Sequence, residues 1–125
     1  ERRFRPDLVQ LPLNALDRRP LASGLLARLK ESGAEIHVRS VFLQGLLLME
    51  PNELPGFFAP ARATIADMRR RWEAQGLRAL AGCLAFVLQQ PAIDAAIVGV
   101  NRLSELDDIL AAIAALPAMS RTWSW

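Results

Sequence analysis

The chain has no tyrosine, and only one histidine, one lysine and one cysteine among its 125 residues. Each shortage removes a class of chemistry. Without tyrosine no phenol can serve as a proton donor, and His37 alone cannot build a histidine cluster for catalysis or for a metal. Cys83 has no partner for an internal disulfide, which suits a cytoplasmic chain whose thiols stay reduced. Cationic charge is almost wholly arginine, and the net charge of +2 is too small and too dispersed to argue a nucleic-acid partner. No apolar run approaches the roughly 18 residues of a spanning helix, so no membrane partner is expected. The sequence opens on Glu1 with no signal or targeting motif, and it is expected to be part of a longer protein.

What is present is apolar: 52% of the residues, enough for one modest core. Prolines and glycines are scattered as punctuation and mark no low-complexity segment. "PDLVQLPLN" is short, apolar and stopped by Pro12 and Asn14, which predicts a strand over residues 7–13. "LASGLLARLKESG" sets Leu21, Leu25, Leu26 and Leu29 at helical spacing, with Gly33 as a C-terminal cap. "AEIHVRSVF" alternates, predicting a strand over 34–41 with Ile36, Val38 and Ser40 on one face and Glu35, His37, Arg39 and Val41 on the other.

The proline-rich stretch that follows is expected to be a loop. From Ala61 a helix carries Ile65, Met68 and Trp72 on one face, and Gly76 breaks it. Leu77, Leu80, Leu84, Val87 and Leu88 predict a second helix. "PAIDAAIVGV" gives a third strand at 95–98, and "LSELDDILAAIAAL" a last amphipathic helix with Ser104 as a possible cap. The order strand, helix, strand, helix pair, strand, helix argues a parallel α/β sheet. Three strands cannot close a barrel, so the sheet is either small and open or the last part of a (β/α)8 barrel.

The segments "DLVQLPLNALDRR", "HVRSVFLQGLLL" and "AIDAAIVGVNRLSELDDIL" together resemble the C-terminal part of an aldo-keto reductase, matching its sixth to eighth strands in order across nearly the whole chain. The resemblance implies an α/β chain forming about three β-α units at the end of a (β/α)8 TIM barrel, with the N-terminal half absent. It also implies an oxidoreductase that reduces aldehydes or ketones by hydride transfer from NADP(H) or NAD(H). Gln10 then matches the glutamine that pairs with the nicotinamide carboxamide, an amide offering both donor and acceptor. Ser40, Phe42 and Gly45 match the loop beside the pyrophosphate, where Gly45 would allow close backbone approach. Gly99, Arg102, Glu105 and Asp108 match the region holding the adenosine end.

Two positions depart from the family pattern. Arg39 stands where many relatives stack an aromatic ring on the nicotinamide; a guanidinium can stack, but its charge should disfavour the oxidised, cationic ring. Glu105 stands near where NADP-preferring relatives place a basic residue, while Arg102 nearby could attract the 2′-phosphate, which leaves NADP and NAD both open. The family's Asp, Tyr, Lys and His tetrad lies upstream of the matched strands, so no catalytic residue and no metal ligand is assigned here. The fragment alone is expected to be inactive, and to self-associate or need its N-terminal half. The alternatives are a non-catalytic barrel fragment that binds nucleotide or protein, and an independent small interaction module.

Other clusters have plainer readings. His37, mid-strand, fits a hydrogen-bonded structural histidine. "MRRRWEAQ" fits a solvated helix face with Trp72 packed inward. Cys83 fits an inert core thiol, "ELDD" complements a helix N-terminus, and Asp17, Arg18 and Arg19 fit a surface loop.

Overall fold

The computed structural model describes residues 4–116, so Trp123 and Trp125 lie outside the described residues. The chain folds as a mixed α/β structure. Its elements are β1 (Leu8–Pro12), α1 (Arg19–Ala22), α2 (Leu25–Glu31), β2 (Glu35–Arg39), α3 (Arg62–Ala74), α4 (Ala79–Leu88), β3 (Ala95–Ala96) and α5 (Leu103–Ala115). Three short 3-10 turns, Leu46–Leu48, Pro51–Glu53 and Gly56–Ala61, run between β2 and α3. The sheet is parallel throughout, in sequential order β1-β2-β3.

Alternation sets which side of the sheet is dry. Ile36 and Val38 of β2 are fully buried, and Leu11 and Leu13 join them in the same core. Their neighbours Gln10, Glu35 and Arg39 face solvent. Register places Gln10 beside His37 and His37 beside Ala95, so these residues share the uncovered face. Leu8 at 46% and Ile97 at 41% exposure lie on that face too. Among the described residues, helices cover one side of this sheet and leave the other bare, although parallel sheets are ordinarily covered on both.

Helix α4 is the centre of the covered side, buried continuously from Gly82 to Val87. Helix α3 packs beside it through Ile65, Met68 and Trp72, and α5 packs on its other flank through Ile109.

Several boundaries differ from the sequence expectation. The first helix is two, because Gly24 takes φ +69° between α1 and α2. Gly33 does end α2: it sits at φ +87°, donates to the Lys30 carbonyl, and Ala34 donates to Leu29, closing a Schellman motif. The third strand is shorter than 95–98, although Ile97 still donates to Val38 at 2.7 Å. Val41 is buried at 2% exposure instead of sharing the Arg39 face. The cause is Ser40, whose φ of +60° ends the pleat and breaks the alternation there. Ser104 makes no cap. Arg102 occupies the N-cap position of α5 without a side-chain bond, and the Glu105 carboxylate accepts the Asn101 N–H at 2.7 Å instead.

Asp94 joins β3 to β2. Its backbone N–H donates to the Ile36 carbonyl at 2.9 Å and its carboxylate accepts the Ile36 N–H at 2.8 Å. Lys30 from α2 adds 2.6 Å bonds to both oxygens. The Lys30 hydrogen bond, helped by that from Ile36, holds the Asp94 carboxyl below its ordinary value. A depressed carboxyl stabilises the fold above the unfolded value of about 4 and loses that contribution as pH falls through the folded one. The urea midpoint is therefore expected to hold above pH of about 5 and to fall below about 4. The fall should be shallower in Asp94→Asn, and an equal slope would remove this assignment.

Candidate functional site

The ends of β1 and β2, with the loop that leaves β2, carry a run of costly backbone angles. Within six residues four adopt the left-handed region: Ser40 at +60°, Leu43 at +49°, Gln44 at +55° and Gly45 at +82°. Glycine tolerates this; serine, leucine and glutamine do so at a cost of order 1 kcal/mol or more each. Such a conformation persists only where the surroundings over-determine it.

They do so here in four ways. Val41 and Leu47 are buried anchors inside the loop. Internal bonds close it, with Leu43 donating to Ser40 at 3.0 Å and Leu47 donating to Phe42 at 3.2 Å. Asn14 holds its start. This side chain, 1% exposed, accepts the Leu16 and Asp17 N–H groups at 3.0 and 2.8 Å and donates Nδ2–H to the Ser40 carbonyl at 3.2 Å. Asn14 is the one buried polar residue among the described residues; its carbonyl oxygen closes the turn after β1 and its amide N–H ties that turn to the start of the loop after β2.

Arg69 holds the far end of the loop. Its guanidinium donates to the carbonyls of Leu48 at 2.8 Å and Met49 at 2.6 Å, and to Glu50 at 2.9 Å. Only 13% of its side chain is exposed. The expectation of a solvated face for the three arginines of "MRRRWEAQ" is corrected here: Arg70 and Arg71 pair with Asp67 at the surface, whereas Arg69 turns inward.

The candidate residues fall into two groups. Gln10, Arg39, Ser40, Phe42 and Gly45 lie on the bare face of the sheet or in the loop at its C-terminal edge. Arg39 donates from Nη1 toward Ser40 Oγ at 3.4 Å, so a guanidinium and a hydroxyl stand together at the strand exit. An ideal Cβ on Gly45 would meet nothing within 4 Å, so its backbone conformation, not crowding, calls for glycine there. Gly99, Arg102, Glu105 and Asp108 follow β3 and are half-buried or exposed. No hydrogen bond or ion pair joins the two groups among the described residues. Glu105 is occupied locally: the Asn101 and Arg102 backbone N–H groups lower its pKa, and its carboxylate lies 3.5 Å from the Arg102 guanidinium.

Titratable groups near the site are few. His37 Nε2 lies 2.6 Å from Glu35 on the bare face, a hydrogen-bonded histidine as its mid-strand place suggests. Cys83 is fully buried, and burial pushes its thiol up to about 12. Such a thiol stays protonated at neutral pH and takes no part in nucleophilic chemistry. Among the described residues no three of His, Cys, Asp or Glu stand close enough to hold a metal ion, and no helix is long and apolar enough to cross a membrane. The arrangement offers an amide, a guanidinium, a hydroxyl and a shaped backbone, which can bind and orient a polar ligand.

Asn14 and Arg69 were not singled out as site residues from the sequence. A signal for Asn14 exists: asparagine directly after a strand readily bonds the backbone N–H groups that follow. Arg69 carries one too, since residues 65, 68, 69 and 72 follow i, i+3, i+4, i+7 spacing and share one helix stripe. Searched against protein-family models and curated protein sequences, the chain matches none.

Proposed function

We propose that the chain is the C-terminal part of an NAD(P)(H)-dependent aldo-keto reductase, forming the last three β-α units of a (β/α)8 barrel and part of its cofactor platform. The sheet carries this reading. Its strands are parallel and sequential, its helices lie on one face, and its bare face is lined by Gln10, His37 and Arg39. A doubly wound sheet covers both faces with helices, whereas a barrel closes its inner face upon itself and carries its site on the loops after the strands. The strained loop after β2 lies where such a site would be. Gln10 would meet the nicotinamide carboxamide and Arg39 its ring, with Ser40, Phe42 and Gly45 beside the pyrophosphate. Gly99, Arg102, Glu105 and Asp108 would serve the adenosine end.

In this reading the chain binds and orients NADP or NAD, and the hydride moves from that cofactor to a small aldehyde or ketone. Proton delivery belongs to the other half of the barrel. The test mixes the chain with a polypeptide supplying the first five β-α units of an aldo-keto reductase, and follows cofactor binding and aldehyde reduction. Reduction is expected in the mixture and not with the chain alone. Gln10→Ala and Arg39→Ala should each weaken cofactor binding by about tenfold, as lost polar ligand contacts do. Arg39→Tyr should shift the ratio of reduced to oxidised cofactor affinity toward the oxidised form. Failure of the halves to associate, or unchanged affinity in both alanine variants, would refute the reading.

One observation favours a second reading. With no tyrosine in the chain, it could serve as a non-catalytic nucleotide-binding or protein-interaction module. Cofactor binding without reduction in the complemented mixture would favour that alternative.

A further inference from the structure

We propose that the cavity between the β1–α1 loop and helix α3 binds a small organic carboxylate, with Arg18 and Arg71 taking its charge and Leu16, Met68 and Trp72 its apolar body. None of the nine cofactor candidates lines this cavity, so the proposal stands apart from the reductase reading.

The cavity holds about 260 Å³. That is below the range of ~300–1,000 Å³ typical of pockets for drug-sized ligands, and it limits the guest to a small acid. Its floor is apolar and rigid, since Met68 and Trp72 belong to the buried core. Its charge is not balanced from within. Arg18 is held in place from two sides: Nε donates to the Ala15 carbonyl at 2.6 Å, and the guanidinium carbon stands 4.8 Å from the centroid of the Phe86 ring. Its two terminal nitrogens have no hydrogen-bond partner among the described residues.

The acid that lines the cavity does not serve Arg18. Asp67 lines the same cavity, but one of its oxygens receives Arg70 at 3.1 Å and the other lies 3.0 Å from Arg71. Burial, and the like charge of Arg71, lower the Arg18 pKa. Two guanidiniums thus face one cavity with a single carboxylate between them, already engaged. A preordered, partly desolvated guanidinium with free N–H donors is the side chain best suited to a carboxylate, which it can hold through two parallel bonds. The apolar floor favours a carboxylate attached to a ring or branched chain over a bare, strongly hydrated anion. Thr64 at the margin offers a hydroxyl.

The test uses sodium benzoate as probe, with benzamide and inorganic phosphate as controls. The purified protein carries Trp123→Phe and Trp125→Phe, so that Trp72 gives the only indole N–H resonance. Benzoate should shift that resonance saturably, and benzamide should not. Arg71→Gln and Arg18→Gln should each weaken benzoate by about tenfold, the expected loss for one charge-assisted contact. Asp67→Asn should tighten it several-fold by removing the competing carboxylate. If Arg18→Gln disturbs folding through Phe86, the Arg71 variant decides, because that side chain is 60% exposed. Absence of saturation at tens of millimolar, equal affinity in Arg71→Gln, or phosphate binding as tight as benzoate would each overturn the proposal.

Discussion

Replacing Gly82 with alanine is expected to destabilise the protein by about 2 kcal/mol or more, although alanine is the better helix former by about 1 kcal/mol. The reason is the crossing of α3 and α4. A Cβ on Gly82 would stand 2.3, 2.5 and 2.6 Å from three ring atoms of Trp72, where ordinary contact begins at 3.4 Å. The indole is 2% exposed and rigid, so it cannot swing aside as a surface side chain would. Either the ring leaves its rotamer or the two helices separate, and a close-packed interior transmits either movement. Equilibrium unfolding in urea, with near-UV circular dichroism reporting the tryptophan environment, measures the loss. A double-mutant cycle assigns it. In a Trp72→Leu background the Gly82→Ala penalty should shrink by at least half, because the ring it collides with is gone. An unchanged midpoint for Gly82→Ala would mean that the helices do not approach so closely.

That contact also marks where sequence reading stops. The helices themselves are legible: Ile65, Met68 and Trp72 recur at helical spacing, and all three are buried in α3. Alternation at Ile36 and Val38 likewise identifies β2 and its dry face. A pattern of apolar residues reports which side is buried, however, and not how near the neighbouring backbone comes. Gly82 reads as a mild defect in a helix until Trp72 is placed over it.

The same limit applies to the strand-end loop. Its place and its Gly45 are visible in "VRSVFLQGLLL", where alternation gives way to a continuous apolar run. The left-handed conformations of Leu43 and Gln44 are not visible, because neither residue type favours them. They are imposed by partners far along the chain: Asn14, 26 residues before Ser40, and Arg69, about 20 residues after Leu48 and Met49. Local propensity is silent about forces of that kind. The bare sheet face is half legible, since the polar residues Gln10, Glu35 and His37 declare one side of β1 and β2, while a sequence cannot show whether another layer covers it.

Removing Arg69 therefore tests the loop directly. Arg69→Met keeps the apolar stem and deletes the guanidinium, leaving the Leu48 and Met49 carbonyls and the Glu50 carboxylate without their donor. Losing the charge-assisted bonds of this largely buried guanidinium, one of them to a part-buried carbonyl, costs about 1.5–3 kcal/mol. Arg69→Lys should recover less than half of this, because a point charge on a flexible stem cannot serve three acceptors through a planar fork. The decisive readout is local. Leu43 and Gln44 hold costly backbone angles only while both ends of the loop are fixed, so amide exchange over residues 42–50 should accelerate far more than exchange in α4. If protection falls equally everywhere, Arg69 is simply a packing residue. If it falls in the loop alone, the strain after β2 is maintained by a side chain from α3. Any ligand bound at the Ser40 to Gly45 backbone would then weaken in the same variant, though Arg69 need not touch it.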